Sequence, residues 1–407
     1  MIVKFQLMMA LTVLAGASFS LLDAQESISL KEALLTAGEG NARVINAKQD
    51  IETAKSRLIQ AGAYANPSVD FQSSDLSDSG LGNYELSLNQ ELELFGKRTK
   101  RRDIAGGLIA VAEEQLKTVR LEAALEVKEK YYQILLIQKR NELANENLDL
   151  VRKLFDSVQN KYNSGSIYLN ELLRARIELS QSENDLILAD REMKVVKSQF
   201  NLLLGKQITN EYKIQENFSY REKKLDYDTL KSKTLSQNPD LKVKTMIAGL
   251  NKKGVQLAGR DLWPNPSVGL ILSREEPASG LLGASVGFSI PLWYRSSGEI
   301  REKEVDLEKS GNDVDYFKKH LELSVYDAYI EAVAAGRQVE ILKRNVDEAA
   351  EIQNLIDLQY REGKAGFLTY LDNLKAVRNV KLTYYEALAN YENKLALIER
   401  IIGEDLK

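Results

Sequence analysis

The sequence predicts a mainly α-helical chain that carries a small β part and uses one helix–hairpin–helix plan twice. Three observations carry this. Asn-Pro-Ser-Val at 66–69 recurs at 265–268, and both copies open a pair of alternating segments joined by a Gly-rich turn, the mark of a β-hairpin. Over the whole chain 28% of residues are charged and only 6 are proline, and long tracts outside the hairpins are rich in Ala, Glu, Lys, Leu and Arg, as in long packed helices. Finally, Leu172, Leu179, Leu186, Met193 and Phe200 stand at strict sevens, and Tyr370, Val377, Tyr384, Tyr391 and Ile398 repeat them 198 residues later.

The net charge of −4 and the absence of cysteine exclude whole classes. There is no disulfide, thiol nucleophile or thiolate metal site, and nothing global suggests nucleic acid. No nucleophile elbow or phosphate loop appears, so no enzyme and no cofactor is expected. His320 is the only histidine and three of the five methionines, Met1, Met8 and Met9, lie at the N-terminus, so no cluster suited to a transition metal exists.

Taken in order, residues 1–24 read as a secretory signal: Lys4, an apolar run from Phe5 to about Phe19, and Leu22-Asp23-Ala24 before the cleavage point. A first repeat is expected over 25–205, with its hairpin at about 66–95. It opens on a capping box, Ser29 to Glu32, before a single helix reaching about Ala63. In the hairpin, Leu86, Leu88 and Leu92 alternate with Glu85, Ser87, Asn89, Glu91 and Glu93, and the turn covers Asp75 to Asn83. Lys97, Arg98, Lys100, Arg101 and Arg102 follow, read as a solvated helix start or a lipid-headgroup anchor. A helix of about 60 residues then runs to Gly165, with Leu148, Val151, Phe155, Val158 and Tyr162 forming a seam. Residues 206–227 are a polar connection, and 228–407 form the second repeat, with its hairpin at about 265–293.

Four strands cannot close a barrel, and open edges are not tolerated in lipid, so chains must pool their strands. Two chains would give eight strands with a filled interior; three give twelve, enough for a water-filled lumen. Leu86, Leu88, Leu92, Val268, Leu270, Phe288 and Leu292 would then face lipid, and Glu85, Ser87, Asn89, Glu91 and Glu93 the lumen.

These features resemble the TolC-type outer-membrane efflux proteins. The resemblance rests on Tyr162-x-x-Gly165 with Leu173 beyond it and Tyr360-x-x-Gly363 with Leu371 beyond it, in register with the doubled hairpins. Gln90-x-Leu92-Glu93-Leu94-Phe95-Gly96-Lys97-Arg98, with Arg101 or Arg102, is similar to a signature of the heavy-metal (CzcC/CusC-like) branch. The resemblance implies a homotrimer in the bacterial outer membrane: a twelve-stranded barrel continued by a long periplasmic α-helical coiled-coil barrel. It implies partnership with a periplasmic adaptor (membrane-fusion) protein and an inner-membrane pump of the resistance-nodulation-division type. It makes Gly165, Ser166, Ile167, Gly363, Lys364 and Ala365 the adaptor-contact tips. Glu171, Tyr360, Thr369 and Asp372 become the periplasmic gate, with Glu171 bonded to Tyr360. The expected cargo is a heavy-metal cation. The competing expectations are a multidrug or type I protein-secretion conduit and, outside transport, a periplasmic coiled-coil scaffold.

Overall fold

The computed structural model describes residues 27–74, 83–214, 218–275 and 280–406. The expected signal at 1–24 and nearly all of the first hairpin turn lie outside the described residues. The chain runs β1 (Ser27–Ile28), α1 (Leu30–Gly40), α2 (Ala42–Gly62), β2 (Ser68–Ser73), β3 (Tyr84–Glu91), α3 (Lys97–Asn163) and α4 (Leu169–Leu203). It continues β4 (Lys213–Ile214), α5 (Tyr227–Gln237), α6 (Pro239–Asp261), β5 (Ser267–Arg274), β6 (Leu281–Gly287), α7 (Ser297–Arg361) and α8 (Phe367–Ile402). With 67 and 65 residues, α3 and α7 each reach about 100 Å at the helical rise.

Each long helix ends in the same turn. Gly165 and Gly363 take positive φ, 75° and 72°. Gly165 N–H donates to the Tyr162 carbonyl and Ser166 N–H to that of Lys161; Gly363 and Lys364 do the same to Tyr360 and Gln359. This is the Schellman arrangement, which satisfies the last carbonyls of a helix and needs a residue without Cβ strain at the left-handed position.

The capping box at Ser29 and Glu32 is present. The single helix expected after it is not: the chain breaks at Asn41, and the corresponding helix of the second half breaks at Asn238. The reason is local chemistry. The Asn41 side chain accepts from Arg43 N–H at 2.9 Å and donates to the Leu203 carbonyl at 3.0 Å. Asn238 accepts from Leu241 N–H at 2.9 Å and donates to the Ile401 carbonyl, also at 2.9 Å, with Pro239 at the first helical position. Each asparagine thus caps one helix and satisfies an orphan carbonyl at the end of another.

The main core sits at this level. Tyr131, Phe200, Val325, Leu388 and Ile398 are fully buried in it, drawn from α3, α4, α7 and α8. Although aperiodic, the connection at 206–227 also enters: Tyr212 and Phe218 are buried there, and β4 pairs in parallel with β1.

The four remaining strands form one antiparallel sheet in the order β2-β3-β5-β6. They are shorter than expected, ending at Glu91 rather than Phe95 and at Gly287 rather than Trp293. Pro266 is the cause: β5 begins at Ser267, which pairs with both Glu91 and Gly287, and a proline has no N–H to extend the ladder. One further bond, Leu92 N–H to the Pro266 carbonyl, closes the end. Leu92, Phe288 and Leu292, expected as lipid-facing strand residues, therefore lie beyond the strands, though all three are exposed.

Candidate functional site: the sheet and the paired tips

Register gathers most of the apolar side chains on one face of the sheet. Val69 stands opposite Leu88, which stands opposite Leu270; Phe71, Leu86, Leu272 and Leu282 make the next row. Every one of these residues is exposed. The other face is mostly polar: Ser68, Asp70, Glu85, Ser87, Asn89, Glu91, Ser267, Gly269 and Ser285, with Ile271 and Leu281 among them. There Asn89 donates to Ser87 at 3.2 Å and Asn265 donates to Glu91 at 2.7 Å. The sheet thus brings Glu85, Ser87, Asn89 and Glu91 together on one polar surface.

Glu93 departs from that set. It lies past β3, and its largely covered carboxylate makes a two-pronged ion pair with Arg101 at the start of α3. The basic run is likewise engaged in the protein. Lys97 is buried and donates to the Trp263 carbonyl at 2.6 Å. Arg98 donates to the Gly62 carbonyl at 2.6 Å and lies over the Tyr64 ring at 4.0 Å. Lys100 donates to Gln256 at 2.8 Å. From the other half, Arg260 donates to the Gly96 carbonyl at 3.0 Å. Of the run expected to be a solvated helix start or a lipid-headgroup anchor, Lys97, Arg98, Lys100 and Arg101 instead form a clamp that joins α2, α3 and α6 beneath the sheet, and Arg102 stays exposed. Arg101→Ala is expected to cost about 2 kcal/mol, because it strands a covered carboxylate. Exchanging the pair, Glu93→Arg with Arg101→Glu, should recover much of that loss in a denaturant titration.

At the tips, a second cluster joins Leu154, Val158, Leu172, Ile356, Phe367, Tyr370 and Leu374, with Ile167 and Ala365 packed against it. Of the six expected tip residues, Gly165, Ser166, Gly363 and Lys364 are exposed, whereas Ile167 and Ala365 are half-buried and hold the turn. Lys364 is paired with Glu362 at 2.6 Å. Tyr168, which no motif marks, is 80% exposed beside them, with Leu169 and Leu173 also exposed on the same helix start.

The residues expected at the gate are only partly brought together within one chain. The Tyr360 ring stacks on Tyr370 with centroids 4.5 Å apart, and the Lys161 ammonium lies 5.3 Å from its centroid. Burial raises the Tyr360 hydroxyl above its ordinary pKa, and the nearby Glu171 carboxylate adds to this. Within the chain no hydrogen bond joins Glu171 to Tyr360; the Tyr360 ring lies against Tyr370, which stands at a heptad position. Burial and the Asp357 carboxylate together push the Tyr370 hydroxyl upward as well. Thr369 is exposed, and its carbonyl accepts from Asn373 at 2.7 Å.

Asp372 is exposed and has no ion-pair partner among the described residues. The nearest cation along its helix, Lys375, is engaged elsewhere, with Glu178 at 2.6 Å. No group of three or more His, Asp or Glu among the described residues is arranged to hold a metal. No described helix is long and apolar enough to cross a membrane.

Residues 34–206 match a family model described as outer membrane efflux protein. The cobalt-zinc-cadmium resistance protein CzcC of Cupriavidus metallidurans is 21% identical over 383 residues, 94% of this chain and 91% of that protein. Crystal structures of CusC, concerned with folding and transmembrane channel formation, superpose with a TM-score of 0.75 at 16% identity, covering 92% of each chain. The Campylobacter jejuni CmeC outer membrane channel superposes at 0.74 and 15% identity, over 92% of this chain and 85% of that one.

Proposed function

We propose that this chain, whose residues 34–206 match the outer membrane efflux protein family model, is a member of that family and the outer-membrane exit duct of a tripartite efflux system. One observation carries the reading: a four-stranded sheet with a continuous exposed apolar face, a hydrogen-bonded polar face and two open edges, mounted on helices about 100 Å long. In lipid the apolar face is satisfied, and the edges β2 and β6 are satisfied only by other copies. All pairings within the sheet are antiparallel. With four strands, β2 and β6 run in opposite directions, so β6 of one copy can pair antiparallel with β2 of the next and close a ring of three.

The helices support the same assembly. On α4, Leu188, Val195 and Leu202 are exposed at sevens, and on α7 so are Tyr316, Leu323 and Ile330. Such stripes are what two copies packing side by side bury. The polar strand face then lines the lumen, and the tips at Gly165 and Gly363 point into the periplasm toward an adaptor and an inner-membrane pump. The duct performs no covalent chemistry.

The likeness to CzcC and the Gly96-Lys97-Arg98 signature support a heavy-metal cargo. Selection among metals belongs to the pump or the adaptor, since the described residues offer no metal-holding group. Three copies of Asp372, unpaired among the described residues, make a cation-attracting constriction near the three-fold axis.

The test is single-channel recording in planar bilayers. Discrete conductance steps are expected, blocked from the tip side by multivalent cations, and Asp372→Ala should weaken that block about tenfold. Equal block in both proteins would remove Asp372 from the constriction. Absence of any steps from folded protein would remove the duct itself.

A further inference from the structure

His320, the only histidine of the chain, stands on α7 one turn after Phe317. Their rings lie face to face, with centroids 6.4 Å apart and planes 5° apart. From α6, the Lys244 ammonium lies 5.2 Å from the Phe317 centroid. Two nitrogen groups thus border one ring. His320 Nδ1 lies 3.4 Å from the Ser324 hydroxyl, which leaves Nε2 without a partner among the described residues. Lys244, half-buried, has no ion pair or hydrogen bond among them.

Both side chains line a cavity of about 830 Å³. Its walls come from α2, α3, α6 and α7, and Arg400 closes it from the end of α8. The first four helices stand side by side in the order α2, α3, α6, α7. A single cavity that touches all four lies on the concave side of that wall. It also faces away from the main core. Tyr131, fully buried there, follows the lining residue Glu122 on α3 by about two and a half turns, so it points to the opposite side.

Most charges on this wall cancel. Arg400 reaches Glu122 at 3.2 Å and Asp240 at 3.0 Å, and Arg43 holds Glu122 at 2.5 Å. Asp240 also accepts from the Thr118 hydroxyl at 2.7 Å. What remains is Asp50 at the α2 end and Lys244 with His320 at the α6–α7 end. On α3, between these ends, Ala112 and Val119 supply an apolar surface, and Val243 and Ile247 extend it along α6.

We propose that this cavity is a binding site for an organic anion with an apolar body, its head on the Lys244 ammonium and the His320 Nε2 and its body along Val119, Val243 and Ile247. The arrangement has the form of a small-molecule site: a mostly apolar cleft with a few converging polar groups that fix orientation. Hydrogen bonds to an ionised head are the strong ones, and two unpaired nitrogens offer them at one end only. Asp50 repels the head from the other end and so sets the direction of the ligand. The site is complete within one chain and stands apart from the channel reading; under that reading the concave side is the lumen.

The test is calorimetric titration of the full chain in nanodiscs with 2-naphthalenesulfonate. Saturable binding of one anion per chain is expected. Lys244→Gln and His320→Gln should each weaken it about tenfold, as loss of one charge-assisted bond implies. His320→Arg, which returns a donor, should restore it, and Lys252→Gln on the same helix outside the cavity should change nothing. 2-Naphthylmethylammonium, of the same body and opposite charge, should bind at least about tenfold more weakly. No saturable binding by folded protein, equal binding of the cation, or unchanged affinity in Lys244→Gln would each overturn the site.

Discussion

Leu88→Arg is expected to abolish assembly of the membrane barrel, whereas Ser87→Arg, one residue earlier, leaves it largely intact. The two positions share β3 and its register but not a face. Leu88 lies between Val69 and Leu270 in the middle of the apolar surface; Ser87 lies between Asp70 and Ile271 on the opposite one. An arginine on the lipid face of a barrel costs about 2–4 kcal/mol near the bilayer midplane. A trimer carries three, so the penalty is roughly 6–12 kcal/mol, comparable with the whole stability of an ordinary domain. At Ser87 the guanidinium reaches lumen water, and the remaining cost is mutual repulsion screened by salt. The measurement is the fraction of each variant recovered as heat-resistant oligomer in vesicles. Equal recovery of the two would mean that the apolar face does not meet lipid.

The second large effect separates two glycines that have nearly the same backbone. Gly165 and Gly205 both take positive φ, 75° and 69°. A Cβ on Gly165 meets nothing within 4 Å, whereas one on Gly205 would lie 2.1 Å from the carbonyl oxygen of Gly40. The contact is mutual, since a Cβ on Gly40 would lie 2.5 Å from the Leu204 carbonyl oxygen. Gly165→Ala should therefore cost only the left-handed penalty, about 1–2 kcal/mol. Gly205→Ala adds a backbone clash to that penalty and should cost roughly 3–5 kcal/mol, because the Asn41 bond to Leu203 must break as α1 and α4 separate. Thermal denaturation of the detergent-solubilised protein distinguishes the two; similar melting shifts would contradict the close approach.

Much of this molecule can be read from period and spacing, because its elements are long and the plan is repeated. The strict sevens of α4 and α8 lie on their packed faces: Phe200 and Ile398 are fully buried, as the heptads require. Alternation in β3 placed Leu86 and Leu88 opposite Ser87 and Asn89, and the structure keeps them so. Gly165 and Gly363 terminate helices as the Tyr-x-x-Gly motif implies.

What was not legible depends on partners far away in sequence. Nothing at Asn41 announces a break until the Leu203 carbonyl is beside it, 162 residues on. Asn238-Pro239 was a readable cap signal in a stretch otherwise helical by pattern. The strand ends were overrun because alternation continues past Glu91 and Gly287 although Pro266 ends the ladder between them. Glu93 kept the period of the polar face, yet Arg101 recruits it. At the tips, Tyr370 and Lys161 lie against Tyr360 through contacts between α3, α7 and α8 that no spacing along the chain reveals.

The central claim is that the four-stranded sheet is one third of a closed ring. Because the chain contains no cysteine, it can be tested without background. Cysteines are placed pairwise on the polar faces of the two edge strands, Asp70→Cys in β2 with Ser285→Cys in β6, and at neighbouring same-face positions to scan the register. Within one chain these strands occupy opposite edges of the sheet, with β3 and β5 between them. Oxidation of the assembled protein in membranes should produce, for the register in contact, a covalent ladder on denaturing gels that stops at three chains. A pattern with no cross-linked species at any register, or a ladder ending at two chains or running past three, would contradict the account.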